Sequence, residues 1–215
     1  MAELIKNTPI PVWKTYFRWH LLHSAAPYLN KAFVDENFAF YGTTLRGTPQ
    51  NRARWKRGVR VVEGSMGEQL GQVYVARYFP AESKARVTAL VHNLLAAYRQ
   101  SIDTLDWMSP ETRKEALAKL SQYMLKLGYP DKWRDYSALK IDRNDLIGNV
   151  QRANEFEYNR NINKLGKPID RAEWGMTPQT VNAYYNPELN EIVFPAAILQ
   201  PPFFDPKADD AVNYG

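Results

Sequence analysis

Apolar residues recur at steps of three and four positions along the chain up to about Gly166, and this spacing predicts helices. The most regular stripe predicts a helix over 81–105. Its apolar face is formed by Val87, Leu90, Val91, Leu94, Leu95, Tyr98 and Ile102. Less regular spacing predicts helices over about 11–30, 51–79 (with an interruption near Gly64) and 144–165. A loop is predicted over 42–49, where glycines and a proline interrupt the pattern.

A further helix is predicted to begin after Ser109, whose hydroxyl suits an N-cap. Pro110 suits the first helical position, and Glu111 lies beside the positive end of the helix dipole. The predicted helix ends at Gly128, with Pro130 just beyond it. Its apolar stripe consists of Leu117, Leu120, Met124 and Leu127.

The pattern changes after Gly166. Residues 180–186 and 191–194 are β-prone, and the intervening Asn-Pro-Glu-Leu-Asn at 186–190 has the residues of a turn. The sequence therefore predicts a mainly α fold in which a helical region is followed by a β-hairpin, with a boundary near Gly166.

Composition is that of a globular protein, with 45% hydrophobic and 24% charged residues. The 28 basic and 23 acidic residues give a net charge of +5, a mild excess that does not by itself indicate nucleic-acid binding. The absence of cysteine excludes disulfides, thiolate metal sites and Cys nucleophiles. No apolar run approaches the roughly 18 residues of a membrane-spanning helix.

The three histidines do not form a recognisable zinc motif. His20 and His23 are three positions apart with no intervening Glu, whereas a zincin helix places two His four positions apart with Glu after the first. His92 lies within the predicted 81–105 helix and has no partner in the sequence. We therefore expect polar or packing roles for these side chains and no metal site in this chain.

A basic cluster surrounds Trp55, and such a pattern is one that nucleic-acid-binding segments show. Its members are Arg46, Arg52, Arg54, Lys56, Arg57 and Arg60. The alternative is a solvated helix face on which arginine stems cover apolar surface. We favour the solvated face, because Glu63 and Glu68 follow closely and no nucleic-acid-binding motif is present.

Three carboxylates gather near the end of the chain, at Asp205, Asp209 and Asp210. Such a group can bind Ca²⁺ or share a proton, but the spacing is not that of a calcium loop. We expect solvated loop acids, or a helix cap near Asp209.

The hairpin offers one chemically specific possibility, since an exposed strand edge can take up an extended peptide through main-chain hydrogen bonds. The amide of Asn182 can donate to and accept from one peptide unit, and Ala183 is small enough to let a ligand backbone approach. A structural hairpin in which Asn182 caps a turn explains the same residues. The residues alone leave both interpretations open.

The run from Val181 to Phe204, with Asn-Ala-Tyr-Tyr at 182–185 and Ile-Leu-Gln-Pro-Pro-Phe-Phe at 198–204, resembles the neprilysin family of zinc metalloendopeptidases. The likeness is to a bacterial oligopeptidase-like member. Other family-like segments occur in the expected order over nearly the whole chain. They are Ala-Pro-Tyr-Leu at 26–29, Gly-Glu-Gln-Leu-Gly at 67–71, Leu-Asp-Trp-Met at 105–108, Gly-Tyr-Pro at 128–130 and Asp-Arg-Ala-Glu-Trp-Gly-Met at 170–176.

This resemblance implies a two-lobed, mostly helical enzyme of the gluzincin type with a thermolysin-like catalytic lobe. Residues 1–166 correspond to part of the helical lobe, and residues 167–215 to the incomplete start of the catalytic lobe. By the same resemblance, Asn182 and Ala183 hold the substrate backbone and Tyr184 lies beside the cleft. Ile198 and Phe203 help to line the pocket for the residue after the scissile bond.

The resemblance also implies what this chain lacks. The family's His-Glu-x-x-His helix is expected just after Gly215, with the third zinc ligand further on. We therefore expect zinc in the full-length parent but none in this chain, and a fragment that is inactive alone. It would expose apolar surface, including Phe203 and Phe204. The expected partners are an oligopeptide substrate, cleaved on the amino side of apolar residues, and the missing C-terminal catalytic portion. Nucleic acid is not expected.

The alternative function is a non-catalytic peptide-binding or assembly module that complements a partner chain. The resemblance favours a periplasmic or otherwise extracytoplasmic location, with the cytoplasm as the alternative.

Overall fold

The computed structural model describes residues 2–215 as helices, a small sheet and connecting loops. The helices are α1 (Ala2–Asn7), α2 (Ile10–Ala25), α3 (Lys31–Phe38), α4 (Arg54–Tyr78), α5 (Ala81–Thr104), α6 (Pro110–Ser121), α7 (Leu146–Ile162) and α8 (Asp210–Tyr214). Short 3-10 and π-helical segments occupy Ala26–Tyr28 and Ala39–Thr44. The strands are β1 (Met124–Gly128), β2 (Tyr184–Asn186) and β3 (Glu191–Pro195). The predicted mainly α fold followed by a hairpin is confirmed.

The predicted helices form close to their expected bounds, for physical reasons visible in the sequence. The hydroxyl of Ser109 accepts a hydrogen bond from the Thr112 N–H, so the predicted cap of α6 is confirmed. The expected interruption of α4 lies at Met66 (φ −150°, ψ 47°), two residues after Gly64. The loop predicted over 42–49 begins later than expected, because residues 42–44 belong to the π-helical segment Ala39–Thr44 and residues 45–46 are also helical.

The prediction that the helix after Ser109 continues to Gly128 is wrong. Helix α6 ends at Ser121, and Met124 and Leu127, which continued its apolar spacing, belong to β1. The reason is a long-range one: β1 pairs in parallel with β3, with Met124 opposite Glu191 and Leu127 opposite Phe194. Pairing with a strand more than 60 positions away overrides the local helical pattern.

The sheet has the strand order β1-β3-β2. Strands β2 and β3 form the predicted antiparallel hairpin, with Tyr184 opposite Val193 and Asn186 opposite Glu191. Strand β2 is shorter than the predicted run of 180–186, because it begins only at Tyr184. Strand β3 is therefore central, and β2 occupies one edge of the sheet.

The chain divides into two compact units. One comprises residues 2–61 and 137–163, and therefore contains α1–α3 and α7. The other comprises residues 62–136 and 164–215, and contains α5, α6 and the whole sheet. The predicted assignment of 1–166 and 167–215 to two lobes of a larger enzyme stays a prediction. In the chain itself, β1 belongs to the same compact unit as the hairpin.

The main hydrophobic core lies in the second unit, between the end of α4, α5, β1 and the segment after β3. Its fully buried members are Phe79, Val87, Leu127, Ala196, Leu199 and Phe204. The expectation that both phenylalanines near the end are exposed is therefore half wrong. Phe203 is 66% exposed, whereas Phe204 is 4% exposed because it packs into this core. Within residues 2–215, no helix combines the length and apolarity required to cross a bilayer.

Candidate functional site

The candidate site is the outer edge of the sheet, where Asn182 and Ala183 lead directly into β2. Asn182 is exposed and Ala183 is half-buried. Because β2 pairs with β3 on one side only, its opposite side is the edge at which an extended peptide can add. Of the predicted residues, Tyr184 therefore lies on this edge strand, and Asn182 and Ala183 lie immediately before it. Their role in binding stays a prediction.

The carboxamide of Asn182 is held in a defined way. Its Oδ1 atom accepts a hydrogen bond of 2.8 Å from the Ala183 N–H, and the backbone N–H of Asn182 donates to the Thr180 carbonyl at 3.0 Å. Within residues 2–215, its Nδ2 group has no hydrogen-bond partner. An amide oxygen has two lone pairs, so Oδ1 can still accept a second hydrogen bond. Asn182 can therefore pair with both polar groups of one peptide unit without releasing Ala183.

The side chain of Tyr184 is held at its hydroxyl end. Its hydroxyl oxygen accepts a hydrogen bond from the Gly175 N–H at 2.8 Å. Partial burial raises the pKa of Tyr184, and the nearby carboxylates of Glu191 and Glu173 raise it further, while the Gly175 hydrogen bond acts in the opposite direction. The neutral phenol therefore links β2 to the segment that contains Gly175.

We expect the raised pKa of Tyr184 to make stability depend on pH in the alkaline range. Because the folded pKa exceeds the ordinary value of 10.0, this contribution is complete below pH 10 and is lost as pH rises through the folded pKa. Replacing Tyr184 by Phe should reduce the loss of unfolding free energy as the pH rises above 10. Urea unfolding over this range measures it, with the exposed Tyr158→Phe as control. An identical pH dependence in the two variants would contradict the expectation.

A buried ion pair lies within the sheet that carries this edge. Lys126 on β1 and Glu191 on β3 are 6% and 2% exposed in their side chains, and Lys126 Nζ lies 2.6 Å from Glu191 Oε2. That approach lies outside hydrogen-bond angles, so the contact is an ion pair without a well-aligned hydrogen bond. Lys126 Nζ also donates to the Glu173 carbonyl at 2.7 Å. Nothing in the sequence indicated this pair, because Lys126 and Glu191 come together only when β1 and β3 are adjacent.

The segment before the edge packs closely on α4. A Cβ added to Gly67 would lie 2.8 Å from Thr177 Cγ2, and one added to Gly71 would lie 2.9 Å from Pro178 Cδ. These glycines are one helical turn apart, so they form a face on which the side chains of Thr177 and Pro178 rest. The Gly-Glu-Gln-Leu-Gly spacing at 67–71 was the available signal for this packing.

Ile198 and Phe203 occupy the segment after β3. Ile198 is half-buried beside the core, and its neighbour Ala197 donates an N–H to the Pro178 carbonyl at 2.9 Å. That bond joins the segment of Ile198 to the segment that leads to Asn182. Phe203 is exposed, and within residues 2–215 no hydrogen bond or ring contact joins it to Asn182–Tyr184.

The other predicted residues have structural roles. His20 contacts the ring of Tyr16, His23 stacks on Trp19 and His92 is exposed. Across residues 2–215, no three side chains of His, Cys, Asp or Glu come together as metal ligands. The residues present therefore do not fit a zinc site.

The acidic and basic clusters also have simple explanations. Asp209 caps α8 by accepting from the Ala211 N–H at 2.9 Å, so the expected helix cap is confirmed. Asp210 pairs with Arg86 at 2.8 Å, and Asp205 accepts from the Lys207 N–H. In the basic cluster, Lys56 lies over the exposed ring of Trp55, 5.3 Å from its centroid. These cationic side chains are exposed, apart from the half-buried Arg57.

Comparison with known proteins places these features in a family context. Two family models, both described as peptidase family M13, match residues 1–130 and 182–215. The neutral endopeptidase of Lactobacillus helveticus is 34% identical over 215 residues, which are 99% of this chain and 33% of that protein. Human endothelin-converting enzyme 1 is 34% identical over 226 residues, covering 100% of this chain and 29% of that protein.

Solved structures agree with the sequence matches. Zinc metalloprotease ZMP1 of Mycobacterium tuberculosis in its open state is 58% identical, with a TM-score of 0.91 over 99% of this chain and 33% of that chain. PEPO from Lactobacillus rhamnosis is 34% identical, with a TM-score of 0.75 over 90% of this chain and 31% of that chain. The present chain spans about a third of the length of these relatives.

Proposed function

Because the chain belongs to peptidase family M13, we propose that it carries the peptide-holding edge of a zinc metalloendopeptidase. The observation that carries this proposal is the arrangement at Asn182, an exposed carboxamide beside an edge strand with an unpartnered Nδ2 group within residues 2–215. The family match over 182–215 includes this same residue.

In the proposed complex, an extended oligopeptide lies along β2. Asn182 Nδ2 donates to a peptide carbonyl, and Asn182 Oδ1 accepts from a peptide N–H while it keeps its bond to Ala183. Ile198 and Phe203 receive the apolar side chain that follows the scissile bond, and Tyr184 borders the cleft. The exposed ring of Phe203 and the bond between Ala197 and Pro178 support this placement.

The residues that bind zinc and activate water are proposed to lie outside these 215 residues. Support comes from the ligand chemistry of the chain, since its described residues bring no three metal-ligating side chains together. Hydrolysis on the amino side of apolar residues is thus proposed for the whole enzyme. The 215-residue chain is proposed to bind peptide without cleaving it.

We expect Asn182→Ala to weaken peptide binding about tenfold or more. Two neutral hydrogen bonds are lost, each with a net contribution of about 0.5–1.5 kcal/mol, and 1.4 kcal/mol corresponds to a factor of ten. Fluorescence polarisation of a fluorescein-labelled oligopeptide rich in Leu and Phe measures the dissociation constant. Mass spectrometry of the recovered peptide tests for cleavage.

The matched control is Asn154→Ala, the same substitution at an exposed position of α7. It should leave the dissociation constant unchanged. Equal affinity of the Asn182→Ala and unmodified chains would contradict the proposed role of the edge. Cleavage of the peptide by the pure chain would contradict the proposal that this chain binds peptide without cleaving it.

A further inference from the structure

A carboxylate on α4 holds the segment that leads to the proposed peptide-binding edge. Thr177 Oγ1 donates to Glu63 Oε1 at 2.6 Å, and Gln179 Nε2 donates to Glu63 Oε2 at 2.5 Å. Both carboxylate oxygens of Glu63 are thus used by residues more than 110 positions further along the chain. Hydrogen bonds to a charged acceptor are stronger than neutral ones, so this clamp holds two residues of the segment at once.

The clamp lies beside a close contact between α4 and the 177–179 segment. Gln179 Nε2 also donates to the Gly67 carbonyl at 2.8 Å. Gly67 and Gly71 leave no room for a Cβ beside Thr177 and Pro178. The position of the segment on α4 is therefore determined both by side-chain hydrogen bonds and by the contact of Thr177 and Pro178 with these glycines.

A continuous set of hydrogen bonds leads from this clamp to Asn182. Thr180 N–H donates to the Thr177 carbonyl at 3.0 Å, and Asn182 N–H donates to the Thr180 carbonyl at 3.0 Å. Thr177 and Thr180 also share a hydrogen bond between their hydroxyls at 2.9 Å. If Thr177 moved relative to α4, the backbone of Asn182 would therefore move with it.

The partners of Glu63 indicate a positioning role more than an electrostatic one. Within residues 2–215, no cation pairs with Glu63, and its contacts are the neutral donors of Thr177 and Gln179. Glu68, five positions along the same helix, shows the contrasting case. Its carboxylate accepts from the Arg134 N–H at 2.8 Å and pairs with the Arg134 guanidinium at 3.2 Å. Arg134 lies outside the 177–180 segment.

We propose that Glu63 is a positioning residue for peptide binding, which acts through Thr177 and Gln179 to fix Asn182 at the sheet edge. This inference rests on the proposed function, because it assigns to Asn182 the contact with peptide. Glu63 itself does not touch the ligand.

The test is a binding measurement with matched variants, using the labelled oligopeptide and the full chain. Glu63→Gln keeps the shape of the side chain. Its amide N–H₂ group would face one of the two donors, and its neutral oxygen would accept more weakly from the other. We expect it to weaken peptide binding about five- to tenfold. Glu68→Gln makes the same change at a more buried carboxylate of the same helix, and we expect binding to stay within about twofold.

A double variant separates positioning from general destabilisation. If Glu63 acts through Asn182, Glu63→Gln should have no further effect on affinity in an Asn182→Ala background. Amide signals of Asn182 and Ala183 in ¹⁵N–¹H spectra should shift in Glu63→Gln and remain in place in Glu68→Gln. Should Glu63→Gln fail to fold, Thr177→Val removes one donor of the clamp with little change of shape and should weaken binding in the same way.

The outcomes distinguish the two proposals. No effect of Asn182→Ala alone overturns the proposed function. A clear effect of Asn182→Ala with unchanged binding in Glu63→Gln and Thr177→Val overturns only the positioning role. An effect of Glu63→Gln that persists undiminished in the double variant, or that Glu68→Gln reproduces, also overturns it.

Discussion

Replacement of Glu191 by Gln is expected to destabilise the sheet by about 3–5 kcal/mol, the typical cost of removing one partner of a buried ion pair. Among residues 2–215, the Lys126 ammonium would remain almost completely buried without a counter-charge, beside only neutral acceptors such as the Glu173 carbonyl. Because Glu191 lies on β3, which pairs with both other strands, the effect should reach the whole sheet. Native-state hydrogen exchange at the Val193 amide, in the middle of β3, measures the opening free energy directly.

The matched control replaces both charges at once. In Lys126→Met/Glu191→Met no uncompensated charge is buried, and exchange of apolar residues for a buried pair is often neutral or stabilising. We therefore expect the double variant to recover most of the loss seen in Glu191→Gln. A loss below about 1 kcal/mol in Glu191→Gln would mean that the pair is solvated in solution. A double variant no more stable than the single one would assign the loss to packing and not to charge.

The helices were predictable because their signals are local. Ser109 and Pro110 mark the start of α6 through cap chemistry that needs only neighbouring residues. The turn between β2 and β3 was predictable for the same reason: Asn186 Oδ1 accepts from the Glu188 N–H within the turn.

Strand β1 was not predictable in this way. Met124 and Leu127 continue the apolar spacing of α6, and only pairing with β3 decides their conformation. The ion pair of Lys126 and Glu191 depends on the same pairing, so it was hidden together with the strand. Long-range contacts of this kind carry no periodic signal in the sequence.

The candidate site shows the same division. The sequence indicated Asn182 and Ala183 because their chemistry suits an exposed edge. It could not indicate Glu63, because the contacts of this carboxylate with Thr177 and Gln179 exist only after α4 packs on the segment before the hairpin. Adjacent phenylalanines give a further example, since nothing in their sequence context separates the exposed Phe203 from the buried Phe204.

Substitution of Gly128 by Ala is expected to cost about 2–5 kcal/mol, because two unfavourable effects coincide at this position. Gly128 has φ +81°, a left-handed conformation that costs an L-residue about 1–2 kcal/mol. A Cβ would also lie 2.5 Å from Cε1 of Phe79, which is 1% exposed in the centre of the core, and such overpacking costs typically about 1–3 kcal/mol. The strand end cannot easily move aside, because the Gly128 carbonyl accepts from the Ala196 N–H at 2.7 Å.

Gly166 supplies the matched control for this substitution. It has φ +72° and belongs to the same compact unit, but nothing lies within 4 Å of its Cβ position. Gly166→Ala should therefore show only the backbone cost of about 1–2 kcal/mol. Urea unfolding, monitored through hydrogen exchange at the Leu127 amide, compares the two variants in one region of the fold. The excess loss in Gly128→Ala measures the contact with Phe79, and equal losses in the two variants would show that the aromatic ring yields to the added methyl group.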